Sequence, residues 1–193
     1  MLTETFTYHG VELPYLRHMY NLTFFNERAV EVPIAHWWLA QRPHLEEVGV
    51  EVGNVLSHYS RRNHLVMDLN EPPAWYQELS GQPYLNADIL EVRENTRTPW
   101  IVSLSTIEHT ENPLYALSVM KAMVVDGGRL LCTFPTGVRP ELDEWLMDGA
   151  PSMTRACTIA RINDQEWEQT RPMVVRPYGP WANSVAVLEW DAP

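Results

Sequence analysis

Cysteine is almost absent from this sequence: only Cys132 and Cys157 occur in 193 residues, each inside an apolar stretch. No C-x-x-C pairs them, so they read as two buried free thiols in a reducing compartment, not as a disulfide or a zinc site. Basic residues are also scarce. Lys and Arg number 14 against 25 Asp and Glu, a formal net charge of −11. Gripping a polyanion needs clustered Lys and Arg, so a nucleic-acid partner is disfavoured, and an anionic membrane surface with it. Arg61, Arg62 and His64 sit together, but three residues do not make a nucleic-acid surface. Long hydrophobic runs are missing: Met123–Val125 and Trp100–Leu104 fall far below the ~20 residues of a membrane span. The opening MLTETFTYHG has neither the basic nor the apolar segment of a secretory signal. A soluble, cytoplasmic protein is expected. With 45% hydrophobic and 20% charged residues the chain has ordinary globular usage, enough for one domain.

What is present is an ordered series of segments. Val48–Val52, His64–Met67, Tyr84–Ala87, Trp100–Leu104 and Arg129–Phe134 are strand candidates. Pro72-Pro73 suits a turn or the first turn of a helix through Trp75 and Leu79. Asn112-Pro113 opens a helix as cap and first residue; Leu114, Leu117, Met120 or Lys121, and Val124 recur along it, and Gly127-Gly128 is expected to stop it. Central strands that are apolar without alternation indicate a parallel sheet covered on both faces. In the tail, Met153–Ile162 and Ala182–Trp190 are joined by a loop and a turn at Asp164–Trp167. With no helical crossover they should pair antiparallel, as a hairpin-like edge. Ahead of the sheet, Pro33–Gln41 predicts an amphipathic helix with Ile34, Trp37, Trp38 and Leu39 inward.

In an open α/β sheet the ligand site lies beyond the carboxyl ends of the strands. Glu51, Gly53, Asn54 and Ser57 follow the first strand, Asp68 and Glu71 the second, Asp88-Ile89 the third, and Ser103, Ser105, Thr106, Glu108 and His109 the fourth. Singly, each has a structural reading: Asp68 as a helix cap or solvated turn, Asp88 as a turn cap, Glu51 as a buried carboxylate held by turn amides, Glu108 as solvated or structural. Jointly, the acids suit one cofactor. A dinucleotide needs G-x-G-x-x-G for its pyrophosphate, and here only Gly53 is present. S-adenosylmethionine has no phosphate, and its cationic centres, ribose diol and adenine amine suit carboxylates and carbonyls.

At this point the residues carry a resemblance. VGVEVGNVLSHY resembles motif I of the class I S-adenosylmethionine-dependent methyltransferases, with Glu51 in the acidic position, Gly53 as the surviving glycine and Asn54 where a second glycine is usual. HLVMD is similar to their second strand, NADIL to their adenine-binding motif, WIVSLSTIEHTENPLYAL to their fourth strand and following helix, and GGRLLCTFPTG to their fifth strand. The resemblance implies a three-layer Rossmann-like α/β fold with a mostly parallel sheet and an antiparallel C-terminal strand. It implies a single domain over residues 1–193: an N-terminal arm and helix (1–45), a cofactor core (46–137), and a C-terminal helix and strand pair (138–193). The cofactor-binding residues it implies are Glu51, Gly53, Asn54, Asp68 (ribose), Asp88 (adenine amine), Ile89 and Ser105.

His109 follows the fourth strand, where an acceptor approaches, and is either the general base or a histidine bonded to the helix start. Some relatives in this branch carry Glu-x-x-Glu-His there and use it with a divalent metal. Here Ser105 takes the first position, leaving Glu108 and His109, too few for magnesium, so no metal is expected. In the arm, Arg28 pairs either with the cofactor carboxylate or with Glu31, and Tyr20, Phe24 and Phe25 either cover the site or pack the arm. The expected activity is S-adenosylmethionine-dependent O-methylation of a small molecule or sugar. A non-catalytic binding module on the same fold is the alternative, and a nucleotide-dependent oxidoreductase is disfavoured by the missing pyrophosphate turn.

Overall fold

A computed structural model of the chain describes residues 4–41, 48–59, 64–70, 83–92, 96–163, 166–175 and 182–193. Arg61, Arg62, Glu71, Asp164 and the helix expected after Pro72 lie outside the described residues.

Thr5–Tyr8 (β1) and Val11–Pro14 (β2) form a hairpin around His9-Gly10, both at positive φ. Arg28–Ala40 (α1) follows. The main sheet then takes Gly49–Val52 (β3), His64–Asp68 (β4), Tyr84–Asn86 (β5) and Thr98–Leu104 (β6). Pro113–Met123 (α2), Val124–Pro135 (β7), Pro140–Met147 (α3), Arg155–Asn163 (β8), Glu166–Thr170 (β9) and Ser184–Asp191 (β10) complete the order. The eight strands run β5-β4-β3-β6-β7-β10-β8-β9. Neighbours from β5 to β7 are parallel, and β10, β8 and β9 pair antiparallel. The mostly parallel sheet with an antiparallel C-terminal strand is as expected.

Both faces of the sheet are covered, which is why its central strands are continuously apolar. Leu131 points to the layer of α1 and the hairpin, with Trp38, Ile34 and Tyr8. Leu130, Cys132 and Phe134, its neighbours along β7, point to the layer of α2 and α3. Cys132 and Cys157 are buried free thiols. No helix among the described residues is long and apolar enough to cross a membrane.

Three expectations are corrected. First, α1 begins at Arg28, so Pro33 lies inside it and Trp37 is only half-buried. A proline cannot donate to the carbonyl one turn back. That carbonyl, on Ala29, instead accepts from the amide of Leu16 at 3.0 Å. Second, Gly127-Gly128 does not stop α2; the helix ends at Met123 and the glycines lie inside β7. They serve a register shift against β6 between Thr98 and Trp100, where Gly127 has φ +71° and a Cβ on Gly128 would lie 2.6 Å from the Pro99 carbonyl. Third, β8 and β10 do pair, but not at the edge. β10 lies between β7 and β8, and Glu166–Thr170 forms the edge strand where the turn was expected.

Candidate active site

The sheet order reverses between β3 and β6, and beyond their carboxyl ends lies a cleft of about 290 Å³. Gly53, Asp68, Asp88, Ile89, Thr106 and His109 are among its lining residues. Asp68, Asp88 and Glu111 supply its negative charge, and no Lys or Arg lines it among the described residues.

The turn after β3 is built by its own carboxylate. Glu51 is fully buried and accepts from the amides of Val55 (2.7 Å), Leu56 and Ser57 (3.0 Å), with His64 Nε2 at 2.9 Å. The motif acid therefore anchors the turn and does not line the cleft. Asn54 also turns inward: its side chain accepts from the Ser57 hydroxyl, while its amide donates to Asp68 Oδ2 at 3.1 Å. Gly53 has φ +85°, and a Cβ there would lie 2.0 Å from Thr106 Oγ1. The β3 and β6 turns thus meet backbone to side chain, with no room between them.

Asp68 ends β4. Its Oδ1 accepts from Asn70 at 2.7 Å, and its backbone carbonyl accepts from the Tyr84 hydroxyl at 2.9 Å, which fixes it against β5. Asp88 accepts from the amide of Leu90 at 2.9 Å as an N-cap, while Ile89 is buried and forms cleft wall.

Ser105, like Glu51 and Asn54, is an expected site residue that faces away from the cleft. It adopts φ +40°, a conformation that is costly without glycine, and its hydroxyl donates to Glu31 at 2.6 Å. Glu31 is fully buried, accepts from Thr133 Oγ1 at 2.6 Å, and is ion-paired with Arg28. Arg28 thus pairs with Glu31 in this structure. Next to this network, Glu108 is 4% exposed. Burial pushes its carboxyl up to about 8, with the charges of Glu31 and Glu27 adding and Arg28 opposing. The side chain of His109, by contrast, is 76% exposed at the cleft wall. From the other side Arg139 donates to the backbone carbonyls of Glu108 and Thr110, each at 3.0 Å, and so pins the turn. The side chains of Phe24 and Phe25 lie outside the described set, and Tyr20 stacks on His58 at 4.6 Å between ring centres.

Thr133 and Arg139 are the parts that sequence reasoning missed; Thr106 was placed at the strand end and Glu31 as a partner of Arg28, but without their contacts to Gly53 and to Ser105 and Thr133. Glu31 had one readable signal: it stands between Val30 and Val32 in a segment whose surroundings are all apolar, so it needed buried partners.

No protein-family model and no curated protein matches this chain. Solved structures do. The N-methyltransferase NodS of Bradyrhizobium japonicum in complex with S-adenosylhomocysteine is 12% identical with a TM-score of 0.51, over 81% of this chain and 91% of that one. A SAM-dependent methyltransferase of Thermotoga maritima is 14% identical with a TM-score of 0.55, over 85% and 88%. The 1,6-didemethyltoxoflavin-N1-methyltransferase of Burkholderia thailandensis is 16% identical with a TM-score of 0.55, over 84% and 76%. Such identities bear on architecture alone. Layers, strand order and cleft agree in one conclusion: the chain has the fold of the class I S-adenosylmethionine-dependent methyltransferases.

Proposed function

We infer that this protein is an S-adenosylmethionine-dependent methyltransferase acting on a small-molecule acceptor. The observation that carries the reading is the gathering of Gly53, Asp68, Asp88, Ile89 and His109, from four separate strand ends, around one cleft. Its chemistry fits the cofactor: acids, with no Lys or Arg among the described lining residues, suit a cationic ligand with a diol and an amine, and disfavour a pyrophosphate. Asp68 would hold the ribose hydroxyls, Asp88 and the Ile89 backbone the adenine edge, and Gly53 the close approach of the amino-acid portion. Glu51, Asn54 and Ser105 would act indirectly, by fixing the two turns that frame the cleft. When bound, the cofactor supplies an electrophilic methyl group on a sulfonium.

The chain's own residues then position the acceptor and manage its proton. Alignment of two bound reactants can supply most of the rate. A hydroxyl acceptor also needs a base, and His109, at the wall beyond β6, is the group placed for it. The solved relatives named for N-methylation show that this fold also serves nitrogen acceptors. A small molecule or sugar hydroxyl remains our choice, because a base exposed at the cleft wall matters most for an acceptor that must lose a proton. Two buried free thiols fit a cytoplasmic location. The test is calorimetric titration with S-adenosylhomocysteine, followed by methyl transfer from labelled cofactor to a panel of hydroxyl and amine acceptors. Cofactor binding without transfer to any of them favours the non-catalytic module.

A further inference from the structure

We propose that Arg139, outside the described lining of the cleft, is the positioning residue for the cleft wall of residues 106–111, and that cofactor affinity depends on it. This rests on the methyltransferase reading and deepens it. Thr106, His109, Thr110 and Glu111 of that wall line the cleft together with Asp68 and Asp88. At Thr106 the wall abuts Gly53 and is fixed by that contact. Beyond it the chain makes one helical turn, Ile107–His109, and runs on through Thr110 and Glu111.

That stretch has little of its own to hold it. Its backbone bonds are local: the His109 amide donates to the Thr106 carbonyl and the Thr110 amide to the Ile107 carbonyl, each at 3.0 Å. A single helical turn is not stable on such bonds alone, because its nucleus costs more entropy than one or two bonds return. Ile107 is buried in the α2 layer, which fixes one side chain and leaves the carbonyls beyond it to find donors elsewhere. Among the described residues, Arg139 supplies every hydrogen bond that joins residues 107–111 to another element.

The guanidinium is used completely. It carries five N–H donors in a planar fork. Nη1 donates to the carbonyls of Glu108 and Thr110, each at 3.0 Å. Nη2 reaches the Glu111 carbonyl at 3.5 Å and also the Glu141 carboxylate, which Nε meets at 2.8 Å. Three carbonyls of the wall therefore converge on one cation, and charge-assisted bonds are the stronger kind. A lysine keeps the charge but presents its donors from one point and lacks the fork. The anchor behind Arg139 is firm. Glu141 lies in the first turn of α3, and Asp143 accepts from the Gly137 amide at 3.0 Å, tying the loop from β7 to the same helix. Leu142 and Leu146 fix that helix in the core. Arg139 thus transmits the position of a buried helix to a wall that lacks other ties. Its own side chain is 27% exposed, so truncating it leaves the core packing intact.

The test joins amide hydrogen exchange by NMR, on the cofactor-free protein, to calorimetric titration with S-adenosylhomocysteine, in wild type, Arg139→Lys and Arg139→Ala. In Arg139→Ala the amides of residues 107–111 should exchange about tenfold faster relative to those of Leu131 and Val187 in the central strands, and S-adenosylhomocysteine should bind about tenfold more weakly. Arg139→Lys should fall between wild type and Arg139→Ala in both readouts. If Arg139→Ala does not fold, Glu141→Gln, at an exposed position, loosens the guanidinium from its anchor and should move both readouts the same way by less. A merely stabilising Arg139 would speed all these amides by one factor and leave binding by the folded protein unchanged, and that result overturns the proposal. Faster local exchange with unchanged affinity overturns it too, because the wall would then not govern the cofactor. Arg139→Lys equal to wild type reduces the residue to a charge and overturns the role of the fork. A wild type that does not bind S-adenosylhomocysteine overturns the methyltransferase reading, and the cofactor role of Arg139 with it, while exchange still reads whether Arg139 holds the wall.

Discussion

A methyl group placed on Gly53 would fall 2.0 Å from the hydroxyl oxygen of Thr106, so the turn after β3 and the turn after β6 occupy one another's space. Those turns form adjoining walls of the cleft. Gly53 also sits at φ +85°, where an L side chain is strained by ~1–3 kcal/mol. Gly53→Ala should therefore destabilise the protein in urea and weaken S-adenosylhomocysteine binding at least tenfold. Adding Thr106→Gly removes the clash and should recover part of the stability, but not the part due to backbone strain. Normal binding and stability in Gly53→Ala would mean that this turn merely connects.

Glu51 is predicted to matter for stability more than for direct contact with cofactor. Glu51→Ala would leave the amides of Val55, Leu56 and Ser57, and His64 beside them, without their buried acceptor. Removing one partner of such a buried group costs ~3–5 kcal/mol. The urea midpoint should fall accordingly. A variant as stable as wild type would contradict the anchoring role.

Glu108 should give the protein a distinctive dependence on pH. The folded protein keeps this carboxyl protonated from its ordinary value of 4.5 up to about 8, while the unfolded chain has already ionised it. Folding takes up a proton in that window, so stability falls as pH rises through it and levels off above. Glu108→Gln should lose this decline and gain on wild type by no more than about 5 kcal/mol at the alkaline end. Glu27, also raised by burial, adds a decline of the same sign in both proteins, so Glu108 is read from the difference between the two curves. Parallel stability curves for the two proteins would contradict the assignment.

For His109, the prediction is kinetic. His109→Ala should retain cofactor affinity, because the ring is exposed at the wall, yet lower turnover by ~10²–10⁴-fold with a hydroxyl acceptor. The deficit should shrink as pH rises for an acceptor that ionises by itself. Turnover close to wild type at neutral pH would make His109 a structural residue.

Much of this architecture is legible in the sequence because its strands are apolar on both faces. His64–Asp68 and Thr98–Leu104 announce themselves, as does Asn112-Pro113, where the Asn112 side chain accepts from Tyr115 as an N-cap. β9 was not legible: Glu166–Thr170 is a polar edge strand with only Trp167 buried, so it reads as loop. The start of α1 was hidden by Pro33, whose missing donor is made good by Leu16, a residue outside the helix. The site divides in the same way. Gly53, Asp68, Asp88 and His109 could be found because each ends or follows a recognisable strand. The network of Glu31 with Ser105 and Thr133 could not, since it joins positions 74 and 102 residues apart through a helix packed on the sheet. Spacing in the chain carries no trace of that contact.

The central claim is that the acid-lined cleft binds S-adenosylmethionine, with Asp68 on the ribose. Calorimetric titration of wild type and Asp68→Ala with S-adenosylhomocysteine, with NAD in parallel, tests it most directly. The account predicts saturable one-to-one binding of S-adenosylhomocysteine, no binding of NAD, and an affinity weakened by about 1.5–3 kcal/mol in the folded Asp68→Ala protein. No heat with S-adenosylhomocysteine, or equal affinity in the two proteins, would contradict it.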